Sequence, residues 1–265
     1  MAITTLDGLI AAFGVEGWSV LKAGFTPQAV GSFTSLWTTA GVPGAGGNSA
    51  SGVAGDVPTS ATAGAFPFTN PTAPALSYLA RLAANATTAG QLLVYDRLWQ
   101  QSGLSATLTS AQTVNSVALT RPDALGADAE AWWQIYTVMG AGATGPTIVY
   151  TDQDGTATQT ATLPGFAATA AAGRTIPFAL AAGDTGVRSI QSYTNGATLT
   201  SGTFGLIIRR FVAATWVSIV GCGVTLDAIQ LGLPRVYDSA CLELLWMANA
   251  ASATTVSGNI ALAQG

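Results

Sequence analysis

Apolar and polar residues alternate with a period of two over most of the chain after Gly90. The segments GQLLVYDRLW, ATLT, TVNSVAL, EAWWQIYTV, PTIVYT, TATQTAT, RTIPFAL, GVRSIQSY, FGLIIRRF, WVSIVGCGVTL and CLELLWMA are short and rich in Val, Ile, Thr, Tyr, Phe and Trp, and turn residues separate most of them. Successive side chains of a strand point to opposite faces, so this alternation is that of strands with a buried face. Many short strands at regular spacing predict an antiparallel β-sandwich or jelly roll rather than a βαβ architecture. The clearest local signal is TIVYTDQDGTATQTAT, in which Asp154-Gly155 lies between Ile148-Val149-Tyr150 and a Thr-alternating strand. It predicts a β-hairpin whose turn needs positive φ. The second strand, Thr156 to Thr162, alternates Thr or Gln with Ala and lacks large apolar anchors, which places it at a sheet edge or against another subunit.

Before Gly90 the pattern differs. Trp18, Leu21, Phe25, Val30, Phe33 and Trp37 recur at irregular helical intervals, which predicts short helices or an N-terminal arm. Gly41 to Pro74 carries one charge, Asp56, and is dense in Gly, Pro, Ala, Ser and Thr, the composition of an extended loop. Phe66 and Phe68 do not suit a linker left in water, so the segment is expected to drape across a neighbouring surface. In Ala75 to Ala86, Leu76, Leu79 and Leu82 stand three apart with Ala80 and Ala83 beside them, predicting a short helix. The expected division is an arm and linker over 1–89 and a β body over 90–265.

Composition changes the picture from fold to role. The 265 residues include 9 Lys and Arg, 13 Asp and Glu, and no His, while 49% are apolar. Ordinary soluble domains are about one-quarter charged; at 8% charged, much of this surface is expected to lie against other subunits. The net charge of −4 and the single lysine, Lys22, leave no footprint for nucleic acid. A mean hydropathy of +0.43 raises the question of a membrane span, which would need about 18 consecutive apolar residues. The best stretch, Phe211 to Leu226, is short, broken by Thr, Ser and Gly, and lies between Arg210 and Asp227, so it reads as a buried strand pair. The N-terminus lacks a basic region and carries Asp7 and Glu16, unlike a secretory signal. Synthesis and assembly in the cytosol are expected.

Without histidine, Ser-His-Asp and Cys-His arrangements and most imidazole acid–base chemistry are excluded. Gly44-Ala45-Gly46-Gly47 is not followed by Lys-Ser/Thr and reads as a flexible loop. Cys222 and Cys241 lie in apolar strand contexts and are expected to be buried free thiols, with a late disulfide as the alternative; two cysteines without histidine cannot complete a zinc site. Arg209-Arg210 is the sole basic pair, and strand alternation points one outward and the other toward a partner. A phosphate or another subunit's carboxylate is the functional alternative. Asp152 and Asp154 suit turn chemistry, since a Ca²⁺ loop would want more oxygen donors and a closing Glu. Asp123, Asp128 and Glu130 precede Trp132-Trp133: a solvated loop, or a carbohydrate site with aromatic stacking. Carboxylate-only glycosidase chemistry needs two Asp or Glu at suitable separation and is the weakest reading. The seven tryptophans, Trp18, Trp37, Trp99, Trp132, Trp133, Trp216 and Trp246, fit core packing or burial between subunits.

Taken in order, GQLLVYDRLWQQSGLSATLTSAQTVNSVALTRPDA, EAWWQIYTVMGA, TIVYTDQDGTATQTATLP, AAGRTIPFALAAGDTGVRSIQSY and TFGLIIRR resemble virion structural proteins of tailed bacteriophages over Gly90 to Arg210. The resemblance implies a particle component and carries no catalytic residues. The resulting expectation is a non-enzymatic capsid decoration or cement subunit of jelly-roll type with a short helical N-terminal arm and an extended Gly/Pro/Ala-rich loop. It would form a homo-oligomer, with a trimer as first choice, on the phage major capsid protein or other virion proteins, without cofactor, metal, nucleic acid or membrane. The alternatives are a tail, baseplate or fibre-attachment component, and a module that binds host glycans.

Overall fold

Alternating apolar positions are buried only when strands pair into sheets and the sheets stack. The computed structural model, which describes residues 5–49, 55–114, 116–122, 125–142, 145–164 and 169–265, does both. Strands hold 47% of the chain and helices 4%, so the protein is mainly β. The elements are α1 (Leu6–Ala12), β1 (Phe13–Phe25), β2 (Phe33–Ser35), β3 (Gly41–Val42), β4 (Ser77–Ala86), β5 (Gly90–Ser102), β6 (Gln112–Thr113), β7 (Ala129–Thr137), β8 (Thr147–Asp152), β9 (Gln159–Thr162), β10 (Arg174–Pro177), β11 (Val187–Thr194), β12 (Thr203–Val217), β13 (Val224–Leu226), α2 (Ala228–Leu231), β14 (Arg235–Val236), β15 (Leu242–Ala248) and β16 (Thr254–Gln264).

These strands form a closed barrel, β10-β2-β15-β5-β12-β7, and two open sheets. One open sheet runs β13-β4-β16-β1-β3 with β14 beside β4; the other runs β6-β11-β8-β9. The first packs Leu79, Leu82, Ile260 and Leu262 against Leu92, Val94 and Leu244 of the barrel wall. The second brings Ile148, Tyr150, Ile190 and Tyr193 against Trp133, Phe204, Leu206 and Ile208. The barrel is therefore covered on both sides. This explains why β5 reads as almost continuously apolar: Leu92 and Val94 face the open sheet, while Leu93 and Tyr95 face the lumen with Trp132, Ile207 and Leu245.

Several elements differ from the expectations. Ala75 to Ala86 holds the strand β4, not a helix. Leu79 pairs with Leu262 and Arg81 with Ala261, so Ala80 is an extra residue on β4. Such a bulge puts residues three apart on one face, and Leu79 and Leu82 share the core while Ala80 packs on the opposite face with Ala12, Ala228 and Ala263. Among the described residues of the first 40, helix is confined to α1, which Thr5 caps by accepting the Gly8 N–H. The residues that follow are no arm: β1 pairs with β16 along most of its length, and β2 closes the barrel between β10 and β15. Strands on the two sides of residue 90 thus share sheets.

The described part of Gly41 to Pro74 packs on its own chain. Phe66 and Phe68 are buried in the core between barrel and open sheet, and Asp56 bridges Gln100 of β5. Residues 50–54 of that segment lie outside the described residues. Phe211 to Leu226 is not a paired unit: β12 stays in the barrel wall, β13 joins β4, and Ile219 and Val220 between them are exposed. The hairpin is present. β8 and β9 pair from Thr147↔Thr162 to Tyr150↔Gln159, Gly155 has φ +88°, and β9 ends its sheet order as the expected edge. Among the described residues, no helix is long and apolar enough to cross a membrane.

Candidate functional site

Alternation along β5, β7, β12 and β15 turns three charged side chains and the amide of Gln134 toward one another inside the barrel. In β5 and β15 these charges interrupt apolar runs, VYDRLW and CLELLW, whose two faces are both buried. Arg97 Nη1 lies 2.9 Å from Glu243 Oε2, and Arg209 Nε lies 3.2 Å from Glu243 Oε1, all three side chains being fully buried. Gln134 Oε1 accepts from Arg97 Nη1 at 3.0 Å and from Arg209 Nη2 at 3.3 Å. Arg97 Nε donates to Gln100 Oε1 at 2.6 Å, and Gln100 Nε2 passes the network to Asp56 at 2.9 Å. The guanidiniums lie over aromatic rings, Arg97 at 4.6 Å from Trp37 and Arg209 at 4.9 Å from Trp132. A weakly hydrated planar cation between a carboxylate and a ring is where Arg tolerates burial best.

A second ion pair lies on the other face of β5. Arg121 Nε donates to both Asp96 oxygens at 3.1 and 3.0 Å, and its Nη2 donates to the carbonyls of Pro58 and Arg97 at 2.6 and 2.9 Å. The Cys241 N–H also donates to Asp96, at 2.9 Å. Arg121 therefore ties the loop at Pro58 to the barrel wall.

At the barrel mouth Glu130 stands opposite Arg209 in the β7–β12 ladder. It accepts from Trp132 Nε1 at 2.8 Å. Burial pushes the Glu130 carboxyl above its ordinary value, against the opposing pull of Trp132, Arg209 and Tyr95. A cavity of about 310 Å³ opens here between Phe33, Tyr95, Glu130, Trp132, Phe178 and Leu180. Phe33 and Tyr95 meet Trp132 edge-on at centroid distances of 5.3 and 5.7 Å, and Tyr95 meets Phe211 at 5.5 Å. β7 begins at Ala129, opposite Arg210, so the β12 residues from Phe211 onward lack that neighbour. Phe211 and Trp216 there are 43% and 51% exposed.

The other candidates separate. Arg209 and Arg210 alternate as expected, but the inward member meets Glu243 of its own chain; Arg210 donates to the Arg235 carbonyl at 3.0 Å and lies over Tyr237. Asp123 lies outside the described residues; of the other two, Asp128 is exposed with φ +57° and Glu130 reaches the mouth. Asp152 Oδ1 accepts the N–H groups of Asp154 and Thr156 at 2.8 Å each, which is turn chemistry. Burial opposes its charge, yet these N–H groups outweigh it and hold the carboxyl below its ordinary value.

The Gly-rich loop wraps Trp37 and Lys22. Trp37 Nε1 donates to the Gly47 carbonyl, and Lys22 Nζ donates to those of Thr39, Pro43 and Gly44. A Cβ on Gly46 would stand 2.2 Å from the Trp37 ring, so only glycine fits. Trp37, Trp99, Trp132, Trp133 and Trp246 are buried, whereas Trp18 is half-buried and Trp216 is exposed. Both cysteines are free; Cys241 is buried as expected, but Cys222 is exposed because its turn leaves the barrel after β12.

Sequence reasoning missed Arg97, Glu243 and Gln134 as one cluster. Their signal was isolated polar residues in strands buried on both faces. Among the described residues, no three His, Cys, Asp or Glu side chains are grouped so as to hold a metal ion. No protein-family model, no curated protein and no solved structure matches the chain.

Proposed function

We propose that the chain is a non-enzymatic structural subunit that self-assembles through the outer face of its β13-β4-β16-β1-β3 sheet. The observation that carries this reading is the apolar, charge-poor surface presented there. Helices α1 and α2 pack on that face around Ala12, Ala80, Ala228 and Ala263. They project Leu6, Ile10 and Ile229 into solvent at 68%, 60% and 84% exposure. Between and beside them the outward strand positions include Ser19, Leu21, Arg81 and Asn259, all exposed, of which only Arg81 is charged, and the helices add the exposed carboxylates Asp7 and Asp227. Seven of the chain's 22 charged residues, Lys22, Asp96, Arg97, Arg121, Asp152, Arg209 and Glu243, are buried. At most 15 charges are thus left for the surface. An exposed apolar face of this kind favours a partner of like character, and symmetric closure of identical subunits would cover it.

The resemblance of Gly90 to Arg210 to tailed-phage structural proteins supports a virion as the assembly, formed in the host cytoplasm, with a capsid decoration or cement role. In this proposal the open sheet packed on the barrel is the counterpart of the jelly-roll body, and a homotrimer bound to the major capsid protein is the first arrangement to test. Light scattering of purified protein at micromolar concentration should give an oligomer that persists as salt rises, because apolar contacts are not screened. The double variant Ile10→Asp, Ile229→Asp should dissociate it. A wild-type monomer would overturn self-assembly. Absence of the chain from purified particles, measured by mass spectrometry, would overturn the virion role.

A further inference from the structure

The barrel mouth lies away from the face assigned to assembly and holds a cavity of its own, about 310 Å³ in volume. Different strands supply its walls. Phe33 of β2, Tyr95 of β5 and Trp132 of β7 come from the lumen cluster, and Pro177, Phe178 and Leu180 close the side at the end of β10. That side is fixed by backbone pairing: Pro177 stands opposite Trp132 in the β10–β7 ladder, and the Phe178 N–H donates to the Ala131 carbonyl at 2.9 Å. The planes of Phe33 and Tyr95 stand at 89° and 76° to that of Trp132, so the rings enclose a space instead of stacking into one block. Trp132 and Tyr95 are 2% and 5% exposed, which makes these walls part of the packed core. The volume is near the lower end of the size range of small-ligand sites, and a dry apolar cavity of about 150 Å³ is already enough for benzene.

The lining decides what fits. Among the described lining residues Glu130 alone is charged, so an anion would meet a carboxylate in apolar surroundings. A cation fares no better, because the Arg209 guanidinium already lies 4.9 Å from the Trp132 ring and 5.8 Å from that of Tyr95 and repels a second positive charge on the same rings. A sugar brings several hydroxyls, and most of them would lose water here without gaining a partner. The Glu130 carboxyl holds the Trp132 N–H at 2.8 Å and interacts with the Tyr95 hydroxyl. Two carboxyl oxygens have more lone pairs than these contacts use, which leaves an acceptor for a further donor. A fitting ligand is neutral, presents ring faces and edges to the aromatic walls, and offers one donor to Glu130.

From this we infer that the cavity at the barrel mouth is a binding site for a small neutral aromatic compound carrying one N–H or O–H donor, with Phe33, Tyr95 and Trp132 as its ring contacts and Glu130 as its acceptor. The inference stands whether or not the chain assembles. The test is titration of the full chain with indole, read by saturation-transfer NMR and calorimetry, with 1-methylindole as the analogue that lacks the donor and cyclohexanol, glucose and tetramethylammonium as controls. Indole should bind at about millimolar Kd or below. Glu130→Gln, which replaces a charged acceptor by a neutral one, should weaken indole about fivefold and leave 1-methylindole unchanged. Leu180→Trp, a half-buried position, should fill the cavity and weaken both indoles about tenfold or more. Circular dichroism should be unchanged in both variants, and Ile229→Ser on the remote face should bind as the parent does. The inference is overturned if the parent does not bind indole up to about ten times millimolar concentration, or if Leu180→Trp binds it as the parent does. It is equally overturned if Glu130→Gln fails to separate indole from 1-methylindole, or if cyclohexanol, glucose or tetramethylammonium binds more tightly than indole.

Discussion

The barrel and the open sheet packed on it bury side chains by opposite means. The sheet's inner face joins Val20, Leu79, Leu82, Val256, Ile260 and Leu262 in one apolar core, with Lys22 beside Val256 as its one buried charge, held by loop carbonyls. The lumen instead joins Leu93, Tyr95, Trp132, Ile207 and Leu245 to an Arg–Glu–Arg cluster held by Gln134 and Gln100. An apolar core tolerates volume-conserving repacking at modest cost, whereas removing one member of a buried ion cluster leaves an uncompensated charge. The difference teaches that seven of this chain's few charges lie inside it, three of them in the lumen cluster.

The comparison breaks most visibly at Glu243. Glu243→Ala leaves Arg97 and Arg209 buried without their counter-charge and should destabilise the fold by about 3–5 kcal/mol. In the open sheet Leu262→Ala should cost about 2–5 kcal/mol through transfer and cavity. Denaturant midpoints measure both. The triple replacement Arg97→Met, Glu243→Leu, Arg209→Met sharpens the contrast: it should recover most of the stability lost in Glu243→Ala. A Glu243→Ala protein as stable as the parent would mean that the cluster contributes nothing.

A smaller effect is expected with pH. The folded Glu130 carboxyl keeps its proton to higher pH than the unfolded one at 4.5. The folded state then binds more protons over a window starting near that value, so this group's contribution to stability falls as pH rises through it. Denaturation midpoints taken from pH 4.5 upward should show this slope for the parent and lose its Glu130 component in Glu130→Gln. An unchanged slope would remove Glu130 as its source.

The smallest perturbation is chemical labelling. Cys222 is exposed and should react with a thiol reagent in the native protein. Cys241 should react only on unfolding, since burial both shields it and pushes its pKa up. Equal native labelling of the two, read by mass spectrometry, would contradict the placement of Cys241 behind the barrel wall.

The strands easiest to read, such as β5, β7, β8, β12 and β15, carry large apolar or aromatic residues at alternate positions. Those read wrongly or passed over, apart from β2 in the barrel, belong to the open sheet around β4 and β16. β4 looked helical because the extra Ala80 gave its leucines a three-residue spacing. In β16 the inward row Val256, Ile260 and Leu262 is interrupted at Gly258. That glycine is required because a Cβ there would stand 1.9 Å from the Ala83 carbonyl oxygen. For the site, alternation showed that Arg209 and Arg210 part company. No local pattern could show that the inward one meets Glu243, or that Arg97, 146 residues before Glu243, joins them. Glu130 beside Trp132 was legible as a candidate because the two share a strand face.

The pairing of β1 with β16 has a consequence for how the chain comes into being. Trp18 lies beside Ile260 and Val20 beside Gly258, so an early strand waits for nearly the whole polypeptide before its ladder can form. At ribosomal speeds of about 5–20 residues per second that wait is on the order of tens of seconds. During it β1 lacks its ladder partner, with only Phe66 and Phe68 available early to cover Trp18, and β2 cannot close the barrel until β15 has emerged. Such long-range closure makes folding slow relative to helical proteins of similar size. The nascent chain is therefore exposed to aggregation late in translation, and holdase chaperones that bind extended apolar segments would act on it mainly in that interval.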